Sequence, residues 1–277
     1  MARAAAQAAP ALKQKLVPAP MGGLNNVSSL AAMPVNDAVM LVNLFGGDMG
    51  MRSRLGYYEH AVGMLTPAAA ACTDRVRSIF GYNAATPGDS KLFACNQYGI
   101  YDVTGSTETL GVPMVSFPAT TANSGLGIAT NIVAAVGGTP LHSLAYTDEA
   151  YGYYVYRAGS WNKVGKTGDG VTYEISGGFD PADAAFCTVW KHRLWLVQKG
   201  TADAWYLDLD AIAGPAARFS FAGKFPHGGH LVGLWSWTFD GGSGPDDALV
   251  ALSSAGDVCI YRGTDPSIPG SFELKGY

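Results

Sequence analysis

The sequence predicts an all-β chain built as β-propeller-like repeats of four-stranded blades, with a period of about 50 residues and an extended N-terminal arm. Two observations carry that expectation. The first is a β-hairpin signature that recurs: Leu92-Phe93-Ala94-Cys95 with Gly99-Ile100-Tyr101-Asp102-Val103; Leu144-Ala145-Tyr146 with Gly152-Tyr153-Tyr154-Val155-Tyr156-Arg157; Leu194-Trp195-Leu196-Val197 with Ala204-Trp205-Tyr206-Leu207-Asp208; and Leu249-Val250-Ala251-Leu252 with Gly256-Asp257-Val258-Cys259-Ile260-Tyr261-Arg262. In each, a β-branched and aromatic run breaks at a polar turn and is followed by a second such run. The second observation is that each hairpin is flanked by further apolar runs. Residues 76–82, 132–136, 186–190 and 231–239 precede the hairpins, and 114–117, 171–175, 219–221 and 272–274 follow them. Four runs per unit predict four strands per sheet.

Three segments are expected along the chain. Residues 1–34 form an extended arm or strap: Ala-rich with Arg3, Lys13 and Lys15, and interrupted by Pro10, Pro18 and Pro20, which favour extended backbone. Residues 35–66 hold a hairpin, with strands at 39–44 and 49–58 around Gly46-Gly47-Asp48, and a connector. Arg52 and Arg54 share one face of the second strand, which reads as a solvated edge, with a partner-binding or phosphate-facing stripe as the alternative. Residues 67–277 carry the four repeats, with a small-residue exposed loop at 119–127. Four repeats and one hairpin suggest an incomplete ring. The hairpin at 39–58, a continuation of the chain, or a neighbouring chain would then close it.

Composition bounds the function. With 36 glycines and only 14% charged residues, the chain suits many short strands and a surface covered by neighbouring subunits. A net charge of −4 argues against a dedicated nucleic-acid binder, though not against a channel that DNA traverses. Cys72, Cys95, Cys187 and Cys259 are widely spaced and form no CxxC pair; the last three fall in strand patterns and read as small buried hydrophobes. No apolar run is long enough to span a membrane.

Residue patterns that might carry chemistry are incomplete. Val164-Gly165-Lys166-Thr167 lacks the first glycine of a P-loop, since Ser160 stands there, and a turn rather than a helix follows. His227-Gly228-Gly229-His230, beside Lys224, offers two imidazoles but only Asp240 as a third ligand. Asp240, Asp246 and Asp247 lack the alternate spacing of a calcium loop, and Ser243 lacks the context of a nucleophile elbow. Asp102, Glu108, Glu149 and Asp208 are acids that only tertiary structure could bring together for glycoside hydrolysis. Trp195, Trp205, Trp235 and Trp237 are expected in packing; a sugar-stacking platform needs several of them exposed on one face. No catalytic, cofactor-binding or metal-binding residue is assigned, and no cofactor is expected.

Pro20-Met-Gly-Gly-Leu-Asn, Ala38-Val-Met-Leu-Val-Asn-Leu-Phe and Met51-Arg-Ser-Arg-Leu-Gly-Tyr, with the later Lys91-Leu-Phe-Ala and Gly99-Ile-Tyr-Asp-Val-Thr, resemble the tail nozzle (tail hub, or phage stabilisation) proteins of short-tailed bacteriophages. The resemblance implies a non-enzymatic virion protein, made in the host cytoplasm. It would form a homo-oligomeric ring, six copies being expected, below the portal and tail adaptor proteins, next to tail fibre or spike proteins. The ring would retain and conduct double-stranded DNA without reading its sequence. Such proteins are usually longer than this chain. A carbohydrate- or host-receptor-binding propeller is the alternative, and a propeller glycoside hydrolase stands behind it.

Overall fold

Alternation of apolar residues in short runs, punctuated by glycine turns, gives strands throughout, as the pleat requires. A computed structural model describes residues 19–47, 50–54, 56, 59–105, 109–118, 124–136, 139–240 and 245–277. The chain divides into two compact units, Met1–Tyr58 and Glu59–Tyr277.

In the first unit β1 (Gly23–Leu24) pairs in parallel with β2 (Asp37–Ala38), and β3 (Leu44–Gly47) pairs antiparallel with β4 (Gly50–Ser53). The first strand is therefore displaced from the 39–44 expected and takes in Gly46 and Gly47 of the expected turn, while the second covers 50–53 of the expected 49–58 among the described residues. Asn25 anchors the strap between β1 and β2: its Nδ2 donates to Asp37 at 2.7 Å, and its Oδ1 accepts from the backbone amides of Val27 and Ser28. Leu24, Val27, Leu30, Val35 and Met40 nonetheless lie exposed. Arg52 and Arg54 are exposed as well. Residues 1–18 of the expected arm lie outside the described residues.

The second unit is a series of sheets. The first holds β5 (Ser78–Tyr82), β6 (Lys91–Asn96), β7 (Gly99–Asp102) and β8 (Val115–Ser116), in that order and antiparallel. The second holds β9 (Ile128–Val136), β10 (Thr139–Asp148), β11 (Gly152–Arg157) and β12 (Ser160–Lys163), again antiparallel. The third has six strands: β13 (Gly165–Lys166), β14 (Glu174–Ser176), β15 (Ala184–Trp190), β16 (Arg193–Gln198), β17 (Asp203–Leu209) and β18 (Gly214–Ser220). Its order is β13-β14-β18-β17-β16-β15, with β13, β14 and β18 parallel to one another. The fourth is an antiparallel meander of β19 (Leu231–Asp240), β20 (Pro245–Ser253), β21 (Val258–Gly263) and β22 (Phe272–Gly276).

The chain is all-β with mixed and antiparallel sheets, but it is not a propeller of repeated four-stranded blades. The four hairpins do form, in registers that include Phe93↔Asp102, Leu144↔Tyr156, Trp195↔Tyr206 and Leu249↔Tyr261. What fails is the grouping. The run at 171–175 was expected to complete the second unit, yet that unit's outer strand is β12, and β14 joins the third sheet by parallel pairing with β18. The four sheets hold four, four, six and four strands as a result, and the repeat is lost. A hairpin is specified by its own turn, whereas the partner of an edge strand is whichever edge the fold leaves open.

Apolar cores lie between successive sheets. Phe93, Cys95 and Ile100 meet Leu144, Tyr146 and Tyr156 between the first two. Tyr153 and Val155 meet Cys187, Leu194 and Leu196 between the second and third. Trp190, Trp195 and Tyr206 meet Leu234, Leu249, Cys259 and Tyr261 between the third and fourth. The far face of the first sheet, with Ala94, Tyr101 and Val103, is covered by Ala61 and Met64. Among the described residues no apolar core joins the first sheet to the fourth, as closure of a ring would require.

Polar ties fix the sheets to one another. Asn131 on β9 accepts from the Asn83 amide at 2.9 Å and donates to the Gly81 carbonyl at 2.9 Å. Asp148 is fully buried and accepts from the amides of Gly125 and Ala150 and from the Tyr146 hydroxyl. Burial pushes the Asp148 carboxyl above the usual carboxylate range even so. A Cβ at Gly127 would overlap the Tyr146 ring, so glycine there permits the close approach of loop and core.

Candidate functional site: the open face of the last sheet

Among the described residues the fourth sheet has a core on one face and exposed tryptophans on the other. Successive residues of a strand point to opposite sides. Leu249, Ala251, Cys259 and Tyr261 point into the core, and Val250, Leu252, Val258 and Ile260 therefore point away from it. Trp235 and Trp237, two apart on β19, stand opposite Val250 and Ala248 and complete that outer row. A bulge between Leu231 and Gly233 precedes them.

The two indoles are 42% and 53% exposed, and Val258 is 38% exposed, where side chains of this kind are normally buried. Trp235 is partly tied down by an edge-to-face contact with Phe186, with centroids 5.0 Å apart. Trp237 instead walls a shallow hollow of about 300 Å³, shared with Ile260, Arg262, Lys275 and Gly276. Lys275 is bound to Glu273 at 2.6 Å on the exposed β22. The arrangement is an aromatic and aliphatic floor with cationic groups beside it. It can stack against a flat apolar surface or a sugar ring and pair with an anion.

The other residues singled out from sequence are engaged locally. The amides of Gly168 and Gly170, which a phosphate would need, already donate to the Glu174 carboxylate at 3.2 and 2.7 Å, and no helix follows. Lys166 lies 3.7 Å from Asp180, and the Thr167 hydroxyl donates to the Ile175 carbonyl. His227 contacts Asp257 at 2.6 Å through Nδ1, and its amide donates to the same carboxylate, so the pair latches the Gly228-Gly229 turn to the fourth sheet. The hydrogen bond with Asp257 raises the imidazole pKa and lowers that of Asp257. The His230 amide donates to Ser254. Among the described residues no three potential metal ligands cluster.

The acids stand on different sheets. Burial opposes the charge of Asp102, but hydrogen bonds from Thr104 and Lys91 outweigh it and hold the carboxyl below its usual range. Glu149 is exposed in the β10–β11 turn, with its carbonyl facing Lys199. Asp208 lies 3.7 Å from Arg193 and is largely exposed. Asp247 accepts from the Thr238 hydroxyl. The side chains of Asp240, Ser243 and Asp246, and residue Glu108, lie outside the described residues. Trp195 is fully buried, and Trp205 is buried with its Nε1 donating to Gln198 at 2.8 Å. All four cysteines are free thiols. Burial pushes Cys95 and Cys187 up to about 12 and raises Cys259, which makes poor nucleophiles of all three.

Arg262 and Lys275 escaped the sequence reading. Nothing local marks them, because they meet Trp237 only through the pairing of three strands.

No family model matches the chain, and no curated protein matches it either. Among solved structures, one chain from the crystal structure of BBS1N in complex with ARL6DN, soaked with lead, aligns at a TM-score of 0.40 and 10% identity. The alignment covers 74% of this chain and 57% of that one, so this chain spans less than two thirds of that structure. Similarity at this level carries no argument about fold or function.

Proposed function

We propose that the chain is a non-enzymatic structural protein that works by packing against further copies of itself. The assembly implied by the sequence resemblance is the tail nozzle of a short-tailed bacteriophage, which retains and conducts DNA below the portal and adaptor. The observation that carries the self-packing is the Trp235/Trp237 face. Among the described residues each other sheet of the second unit has an apolar core on both of its faces, whereas the outer face of this one leaves two tryptophans exposed. The strap at 24–40 supplies a second apolar surface in need of cover, with Leu24, Val27, Leu30, Val35 and Met40 exposed. Two such surfaces on one chain suit head-to-tail addition, which closes into a ring when the rotation allows.

Sedimentation velocity and negative-stain imaging test it. The wild-type protein should form a multimer with a central hole. The Trp235→Ser/Trp237→Ser variant should be a folded, smaller species. A wild-type chain that stays monomeric at its highest soluble concentration sinks the proposal.

The hollow beside Trp237 favours a second reading, a surface for acidic glycans. The indole would stack on the sugar, and Arg262 and Lys275 would meet its carboxylate or sulfate. Glycan-array binding that disappears in Trp237→Ala, with the protein monomeric throughout, selects this reading over the first.

A further inference from the structure

A second concavity lies well away from the open face. It is a cleft of about 500 Å³ between the first two sheets, within the size range of small-molecule sites. Tyr82, Asp89, Lys91, His142, Tyr156 and Arg157 carry its chemistry. Tyr82 and Tyr156 meet edge to face, with centroids 4.9 Å apart, and form an aromatic wall. His142 uses Nδ1 on the Asn83 carbonyl at 2.9 Å, which leaves Nε2 uncommitted. Lys91 is 3.1 Å from Asp102, so much of its charge is answered.

Arg157 is the anomaly. It ends β11, lies half-buried in the cleft lining, and meets no hydrogen-bond acceptor or carboxylate among the described residues. Asp89 lines the same cleft but forms no ion pair with it among the described residues. A guanidinium half-buried without a partner is costly. A cation left unanswered in the wall of a cleft is a natural seat for an anion.

We propose that this cleft binds a small polyhydroxylated acid, a sugar acid or sugar phosphate, with its oxyanion on Arg157. Guanidinium matches planar carboxylates and phosphates through paired N–H groups. Asp89 and the free His142 nitrogen are placed to accept from hydroxyls, and the tyrosine wall packs against the carbon skeleton. The site is independent of the open face and of the assembly.

Isothermal titration calorimetry on the full chain, with glucuronate, glucose 6-phosphate and glucose as probes, tests the proposal. At least one of the two acids should bind and glucose should not; which acid binds separates carboxylate from phosphate. Arg157→Met should weaken binding by about tenfold or more. The ligand-free variant should unfold at the same urea concentration as wild type or a higher one, because it removes an unanswered charge. Failure of both acids to bind overturns the proposal, as does an Arg157→Met protein that keeps its affinity. A ligand-free Arg157→Met protein that is clearly destabilised also overturns it, since the guanidinium would then be a structural partner.

Discussion

The second and fourth sheets are equally apolar and meet different fates. On β10 of the second sheet, Leu144, Ala145 and Tyr146 are each 0% exposed, because a neighbouring sheet covers either face. On the fourth sheet, Leu249 and Ala251 are just as buried, but their strand neighbours Trp235 and Trp237 face outward. A continuous apolar run normally signals a strand buried on both sides. In the second sheet the fold honours that signal; in the fourth it is half answered. The difference is that one face of the fourth sheet keeps its tryptophans exposed, and the proposed self-packing rests on that.

The comparison breaks or sharpens most sharply at tryptophan. Trp195 is fully buried between the third and fourth sheets, and Trp195→Ala should cost about 4 kcal/mol in urea unfolding. Trp237→Ala, on the open face, should stay within about 0.5 kcal/mol when measured on dissociated protein. Equal losses at the two sites would erase the distinction between the faces.

A smaller effect is expected at Arg193, which ties the third sheet to the fourth. Its Nη2 lies 2.8 Å from Asp265, and its Nη1 donates to the Leu207 carbonyl at 3.1 Å. Arg193→Met strands a partly buried carboxylate and should cost about 2–3 kcal/mol. If the double variant with Asp265→Asn is no less destabilised than the sum of the two single changes, the two side chains are not coupled.

The smallest effect is the pH response of the His227–Asp257 latch. The His227 pKa is raised, so its contribution is complete below about pH 6.5 and is lost as pH rises through the raised value. The Asp257 pKa is lowered, so its contribution is present above about pH 3.9 and is lost as pH falls through the lowered value. The latch is therefore strongest from about pH 4 to 6.5. The Tm difference between wild type and His227→Gln should shrink from pH 6 to pH 9. A constant difference would show that the imidazole charge contributes nothing.

Much of the local structure was legible in the residues. The turns at Gly99, Gly152 and Gly256 take positive φ, and a glycine between two β-branched runs announces that before any contact is known. The buried character of Cys95, Cys187 and Cys259 followed from their neighbours in the same strands. The failed P-loop at 164–167 was also readable, because its missing glycine and helix are local features. The partners of Trp237 were not, since Arg262 and Lys275 lie on strands paired through β20. Arg157 gave no signal either: an arginine at a strand end reads as solvated until the cleft around it is built.

By itself the sequence determined the four central hairpins, because a turn and two alternating runs encode that within a dozen or so residues. Tertiary structure alone decided that β14 leaves the second repeat for the third sheet and that, among the described residues, no core joins the first and last sheets and two tryptophans stay exposed on the fourth. Those outcomes depend on which edges and faces are free once all the hairpins have formed, and that is a competition among segments far apart in the chain.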